Sequence, residues 1–178
     1  GYAPESVTFD LPVQFSTECP LDSTSDIPPC YYPGNYDEKF RGPMSFRDAL
    51  AQSVNLVALK VLYLVGIQDA LRTARAMGIT TLNDPDRYGL TLVLGGGEVR
   101  LLDLTSAYGV FANEGARAPY RSILKIEDRN GVVVRESTPV SEQVLPQNIA
   151  LNISGILSDN VARTPEFGAD SALYIPGH

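Results

Sequence analysis

The 178-residue sequence is poor in the side chains that most often carry chemistry. Its one histidine is His178, the last residue. Ser-His-Asp and Cys-His catalysis are therefore excluded within these residues, and so are His-based zinc sites. Any general base must be Lys, Asp, Glu or Tyr, or must come from outside. Two cysteines, Cys19 and Cys30, are too few for a four-ligand zinc site. No run of 18 apolar residues occurs. The densest apolar stretch, Leu56 to Ile67, is interrupted by Lys60 and Gly66. There is no block of Lys and Arg either. Fourteen basic residues stand against 21 acidic ones, giving a net charge of −7, so nucleic acid and anionic membrane surfaces are poor partners.

What is present is an ordinary globular composition, 44% apolar and 20% charged, long enough for one domain with a sizeable core. Cys19 and Cys30 lie in a loop-like stretch rich in Pro, Ser and Asp. Their spacing allows a disulfide closing a small loop, which in the chain-entropy picture contributes roughly 2–3 kcal/mol. Two unrelated thiols are the alternative. A disulfide would imply an oxidising compartment. The chain begins Gly1-Tyr-Ala-Pro4 without Met and ends in a turn-like Ile175-Pro-Gly-His178, which suggests a piece of a longer protein.

Residues 1–44 concentrate proline and read as an extended arm, with Asp10 to Phe15 as a short strand or extended segment. From 45 to 178 the texture is that of a helical body. Ser45 with Asp48 three positions on resembles a capping box, so a short helix is expected to about Gln52. Ser53-Val54-Asn55 interrupts it. A second helix follows from Leu56 to Gly66, and a third from Gln68 to Met77, stopped by Gly78. Gly95 to Gly97 reads as a tight turn feeding a helix from Leu101 to Asn113. It lacks the ending of a phosphate loop. Ile123 to Val134 is a hairpin, because Asn130-Gly131 is the strongest short-range hairpin signal. The last helix starts near Pro146 and runs through Leu157; residues 161–178 read as loop. Helices with scattered strands make the fold class α+β, mostly helical.

Without a usable histidine, a hydroxyl nucleophile would need lysine as its base. The one S-x-x-K match, Ser122 to Lys125, begins the hairpin strand, where side chains three apart face opposite sides. It reads as a decoy. Two S-x-N matches occur, Ser53-Val54-Asn55 and Ser158-Asp159-Asn160, and no K-T-G. By itself Ser53-Val54-Asn55 is explained by helix punctuation, since Ser and Asn favour such junctions. Lys60 reads as a snorkelling or ion-paired helix lysine. Tyr31, Tyr32 and Tyr36 read as packing of the arm onto the body.

The surroundings of Ser53 carry more. Tyr32-Pro-Gly-Asn-Tyr-Asp-Glu-Lys-Phe-Arg-Gly-Pro43 is followed by Arg47-Asp-Ala-Leu-Ala-Gln-Ser-Val-Asn55, and later come Leu94-Gly-Gly-Gly-Glu-Val-Arg-Leu-Leu-Asp-Leu-Thr-Ser-Ala-Tyr108 and Val110-Phe-Ala-Asn-Glu-Gly115. This ordered series resembles the transpeptidase domain of class A penicillin-binding proteins. The segment from Ile156 to Gly168 is most similar to the 1C-type subgroup. The resemblance implies the helix-and-sheet fold that this family shares with serine β-lactamases. It also implies a D,D-transpeptidase that cross-links cell-wall stem peptides through an acyl-serine. Its partners would be the D-Ala-D-Ala stem peptide and β-lactams, with no cofactor and no metal, in an extracytoplasmic setting reached by a parent's membrane anchor.

Within that resemblance Ser53 would relay protons between the nucleophile's lysine and the leaving amine. Asn55 would hold the donor peptide and help position the lysine. Ser158-Asp159-Asn160 is expected inside the last helix, in a structural role. The nucleophilic serine would lie before residue 1 and the K-T-G strand after residue 178, leaving this chain alone inactive. Apolar faces would then be uncovered, with self-association as a consequence. The alternatives are a non-catalytic scaffold or interaction module of the same fold, and a β-lactamase or penicillin sensor.

Overall fold

The computed structural model describes residues 1–138 and 140–175. The turn expected at the C-terminus lies, over 176–178, outside the described residues. The chain forms two compact units. The first comprises Gly1–Ala70, Asp86–Gly97 and the stretch from Gly155; the second comprises Leu71–Pro85 and Glu98–Ser154.

In the first unit the arm is pinned by one short antiparallel ladder. Strand β1 (Val7–Asp10) pairs with β2 (Gly42–Ser45), with Val7 opposite Ser45 and Asp10 opposite Gly42. The strand therefore ends where the sequence suggested it would begin. Pro12 has no N–H to continue a ladder, and the chain turns away into the loop. There Gln14, buried, takes over the backbone: its Oε1 accepts from Tyr31 N at 2.7 Å and Ser16 N at 3.2 Å, while Nε2 donates to the carbonyls of Ser23 and Ser25. Cys19 and Cys30 form a disulfide inside this loop. Tyr31 packs on Phe15 at 6.1 Å between ring centroids, a contact within the arm, and Tyr36 is 93% exposed; the arm ring that meets the body is Phe15, 6.4 Å from Tyr63 on the second helix.

Helix α1 (Phe46–Ala51) starts where Ser45 accepts the Asp48 N–H at 3.0 Å, the expected cap. Helices α2 (Asn55–Val65) and α3 (Ile67–Met77) follow, separated by Gly66 at φ +83°. Ala49, Val54 and Val57 form the core cluster, with Met44 and Phe46 against it, and Leu56 and Leu59 are completely buried. A 3₁₀ turn, Leu90–Leu94, packs along α2 and ends at Gly95 in the left-handed conformation, so the glycine run is a turn as expected.

The second unit is built on α4 (Leu101–Ala112). Its Asp103 is buried and accepts from both the Thr80 hydroxyl at 2.7 Å and the Thr80 N–H at 3.2 Å. After α4 the chain passes through β3 (Ala116–Arg117), then a hairpin of β4 (Lys125–Glu127) and β5 (Val133–Glu136). The hairpin sits two residues later than expected: its turn is Asp128–Gly131, with Arg129 and Asn130 at the centre and the Gly131 N–H donating to Asp128 O at 3.0 Å, while Gly131, left-handed at φ +79°, follows the turn and Asp128 Oδ1 accepts the N–H groups of Asn130 and Val132. Strand β6 (Glu142–Gln143) pairs back with β3. Helix α5 (Gln147–Leu157) begins just after Pro146, as read from the sequence.

Two further expectations are corrected. Residues 161–178 are not all loop: a further helix, α6 (Asn160–Phe167), runs through Pro165. Asp159 caps it at Ala162 N (2.9 Å), and in the turn before the proline Thr164 Oγ1 donates to Asn160 O (2.7 Å). Arg163, buried, also reaches back to Leu157 O at 2.6 Å. In consequence Ser158-Asp159-Asn160 is not inside a helix but at the α5–α6 junction. Asp159 is the α6 cap and lies 3.4 Å from the Arg47 guanidinium, which is a structural role of a different kind. Among the described residues six α-helices and short strands make the fold class α+β, as expected.

Candidate functional site

Ser53-Val54-Asn55 forms the junction of α1 and α2. Ser53 has φ +56°, a left-handed backbone rare for a residue with Cβ. Its N–H donates to Leu50 O at 3.1 Å and the Val54 N–H to Ala49 O at 2.9 Å, so α1 is closed by a reversal of the chain. That reversal drives Val54 into the core, where it is 3% exposed, and leaves Ser53 outside. Among the described residues the Ser53 hydroxyl has no hydrogen-bond partner. Asn55 is half-buried, and its Nδ2 donates to Gly34 O at 3.3 Å. The structure therefore brings Ser53 and Asn55 together, on one exposed junction with the arm as its edge.

Beneath the junction lies a polar cluster. Asp10, fully buried, accepts from Asn35 Nδ2 at 2.8 and 2.9 Å and from the Arg41 N–H at 2.9 Å, with the Arg41 guanidinium at 3.7 Å. Asn35, also buried, accepts the Leu56 N–H at 3.2 Å. Lys60 is held by backbone carbonyls. Its Nζ donates to the carbonyls of Phe9 at 2.7 Å and Leu11 at 3.3 Å. Partial burial pushes its pKa down, opposed by the nearby Asp10 charge.

Lys125 opens β4 and pairs with Glu127 at 2.5 Å, so Ser122 and Lys125 make no catalytic pair. Sequence reasoning missed Asp10 and Asn35. Asn35 stands in the Tyr32–Pro43 stretch, but its pairing leaves no local mark, since Asp10, Asn35 and Leu56 meet only across 21 to 25 residues of chain. Among the described residues no group of His, Cys, Asp and Glu side chains could hold a metal ion. No helix of the described residues is long and apolar enough to cross a membrane.

No family model matches this chain. Similar proteins are found nonetheless. Penicillin-binding protein 1A of Aquifex aeolicus is 41% identical over 117 residues, 66% of this chain and 16% of that protein. Penicillin-binding protein 1A of Rickettsia bellii is 34% identical over 134 residues, 75% of this chain and 16% of that protein. The chain thus spans about one sixth of the length of these curated relatives. Among solved structures, penicillin-binding protein 1A from Haemophilus influenzae superposes with a TM-score of 0.75 at 23% identity, covering 96% of this chain and 28% of that one. An imipenem acyl-enzyme complex of penicillin-binding protein A from Mycobacterium tuberculosis superposes with a TM-score of 0.73 at 14% identity, covering 99% of this chain and 42% of that one. These two likenesses establish the fold.

Proposed function

This chain belongs to the penicillin-binding protein family, and from that premise we propose that it is the middle part of a peptidoglycan D,D-transpeptidase domain, contributing Ser53 and Asn55 to the active site. The observation that supports this most directly is the exposed, unpartnered Ser53 hydroxyl beside the Asn55 carboxamide on a strained junction. Strain of this kind persists where the surrounding structure over-determines it, and it concentrates at functional sites.

In the proposed reaction a serine from the flanking polypeptide adds to the carbonyl of the penultimate D-alanine. The bond to the terminal D-alanine breaks, and the serine's proton ends on the departing amine. Ser53 passes that proton between the lysine base and the leaving nitrogen. Asn55 donates to the donor peptide's backbone. An amine of a neighbouring strand then attacks the acyl-serine ester and releases the enzyme. A β-lactam would enter the same site and remain as an ester. The nucleophile and the oxyanion strand of the K-T-G motif lie outside residues 1–178 in this reading, so the chain by itself is inactive. The disulfide in the arm fits an extracytoplasmic setting.

Fluorescent penicillin tests the reading. A polypeptide carrying this segment with its flanking sequence should be labelled covalently, and residues 1–178 alone should not. Ser53→Ala in the longer polypeptide should slow acylation by about a hundredfold or more, the usual contribution of a placed proton-transfer group. Acylation at an unchanged rate would refute the relay role.

A further inference from the structure

The Ser53–Asn55 junction has no capping side chain of its own. The N-cap of α2 is Val54, which is apolar, so the first amides of the helix lack a local acceptor. The acceptor comes from the arm, where the Asn35 carboxamide oxygen takes the Leu56 N–H at 3.2 Å. The nitrogen of the same amide faces three acceptors: both oxygens of Asp10, at 2.8 and 2.9 Å, and the Lys39 carbonyl at 2.7 Å. An amide held this way cannot flip, because its oxygen would meet a buried carboxylate. Asp10 itself is fixed by the Arg41 N–H, and Lys60, further along α2, grips the carbonyls on either side of it. The turn that carries Asn35 also offers Gly34 O to Asn55.

From this geometry we infer that Asn35 is a positioning residue: oriented by Asp10, it sets the start of α2 and with it the places of the Ser53 hydroxyl and the Asn55 carboxamide. The inference rests on the role given to those two residues above. Ser53 is held in a left-handed conformation that its own backbone does not favour. Without the Asn35 bond nothing polar anchors the residue three positions on, and the junction can relax. Displacements of about 1 Å at a reacting group cost on the order of a hundredfold in rate.

The test is the time course of acylation by fluorescent penicillin in the polypeptide carrying this segment and its flanking sequence. It separates the acylation rate constant from the final labelled fraction. Asn35→Ala should lower the rate constant by roughly ten- to a hundredfold with the labelled fraction near complete. A lower labelled fraction at an unchanged rate constant would mean that Asn35 serves stability alone, and would overturn the inference. Asn35→Asp guards against a variant that does not fold. It keeps an acceptor for Leu56 but sets a second carboxylate against Asp10, and it should be slow. Adding Asp10→Asn removes the carboxylate–carboxylate repulsion and supplies a donor to the new carboxylate, though the Lys39 carbonyl still lacks one, and should recover part of the lost rate. Equal rates in the single and double variants would overturn the inference. Ser53→Ala in the same assay distinguishes the failures. If Ser53→Ala slows acylation and Asn35→Ala does not, only this inference falls. If Ser53→Ala leaves the rate unchanged, the role of the junction falls with it.

Discussion

The Arg41 guanidinium donates to Glu166 at 2.6 Å, joining the end of the arm to α6 across 125 residues of sequence. The same group reaches Asp37 at 3.1 Å and lies 3.7 Å from the buried Asp10. Arg41→Ala would leave the Asp10 charge poorly compensated, and should cost about 2–3 kcal/mol of unfolding free energy. Glu166→Gln removes one partly exposed ion pair and should cost about 0–1 kcal/mol. Urea unfolding of the two variants checks the ordering; equal losses would contradict it.

Ser53→Gly should part stability from function. Glycine adopts φ +56° without the Cβ penalty, so the variant should be as stable as the parent or more stable by about 0.5–1 kcal/mol. Acylation of the flanked polypeptide should still fall as for Ser53→Ala. Thermal melts and penicillin labelling of the same samples measure both.

Reduction of Cys19–Cys30 should lower stability by about 2–3 kcal/mol. The loop should stay in place, because Gln14 holds Tyr31, Ser23 and Ser25 independently of the sulfurs. Gln14→Ala combined with reduction should then expose the loop between them to proteolysis far more than either change alone. Limited proteolysis with and without reductant reads this directly.

Asp103 should make the second unit acid-sensitive. The Thr80 hydroxyl beside it holds its carboxyl below the usual carboxylate range. Because the folded-state pKa lies below the unfolded one, the stabilisation is complete above the unfolded value of about 3.9 and fades as pH falls through the folded value. Asp103→Asn should flatten the loss of stability below about pH 4, and Thr80→Val should raise the Asp103 pKa in an NMR titration. An unchanged acid limb in Asp103→Asn would contradict the assignment.

Several helices show apolar residues to solvent, among them Tyr63 and Leu64 on α2 and Leu101 on α4, while Val134 is exposed in the hairpin. Residues 1–178 alone should therefore bind a hydrophobic dye and sediment as concentration-dependent oligomers. A dye-silent monomer would argue against this.

Much of the fold was legible because its signals are local. Ser45 and Asp48 mark a cap, Gly66 and Gly78 mark helix ends, and Asn130-Gly131 marks the hairpin; each acts within a few residues. Helix α6 was not legible, because Pro165 argues against a helix and the bonds around it are those of a cap, a back-reaching arginine and a threonine hydroxyl. The partners of Lys60 are hidden for a related reason. They are backbone carbonyls some fifty residues away, and carbonyls leave no mark on side-chain patterns.

The sequence by itself determined the order of helices α1 to α5 and the identity of the hydroxyl and carboxamide at the α1–α2 junction, since capping chemistry and periodicity are written in neighbouring residues. Only the tertiary structure decided how that junction is held. Asp10, Asn35 and Leu56 are brought into contact by the β1–β2 pairing and the folded arm, and a hydrogen bond between distant residues exists only once the chain has closed the loop between them.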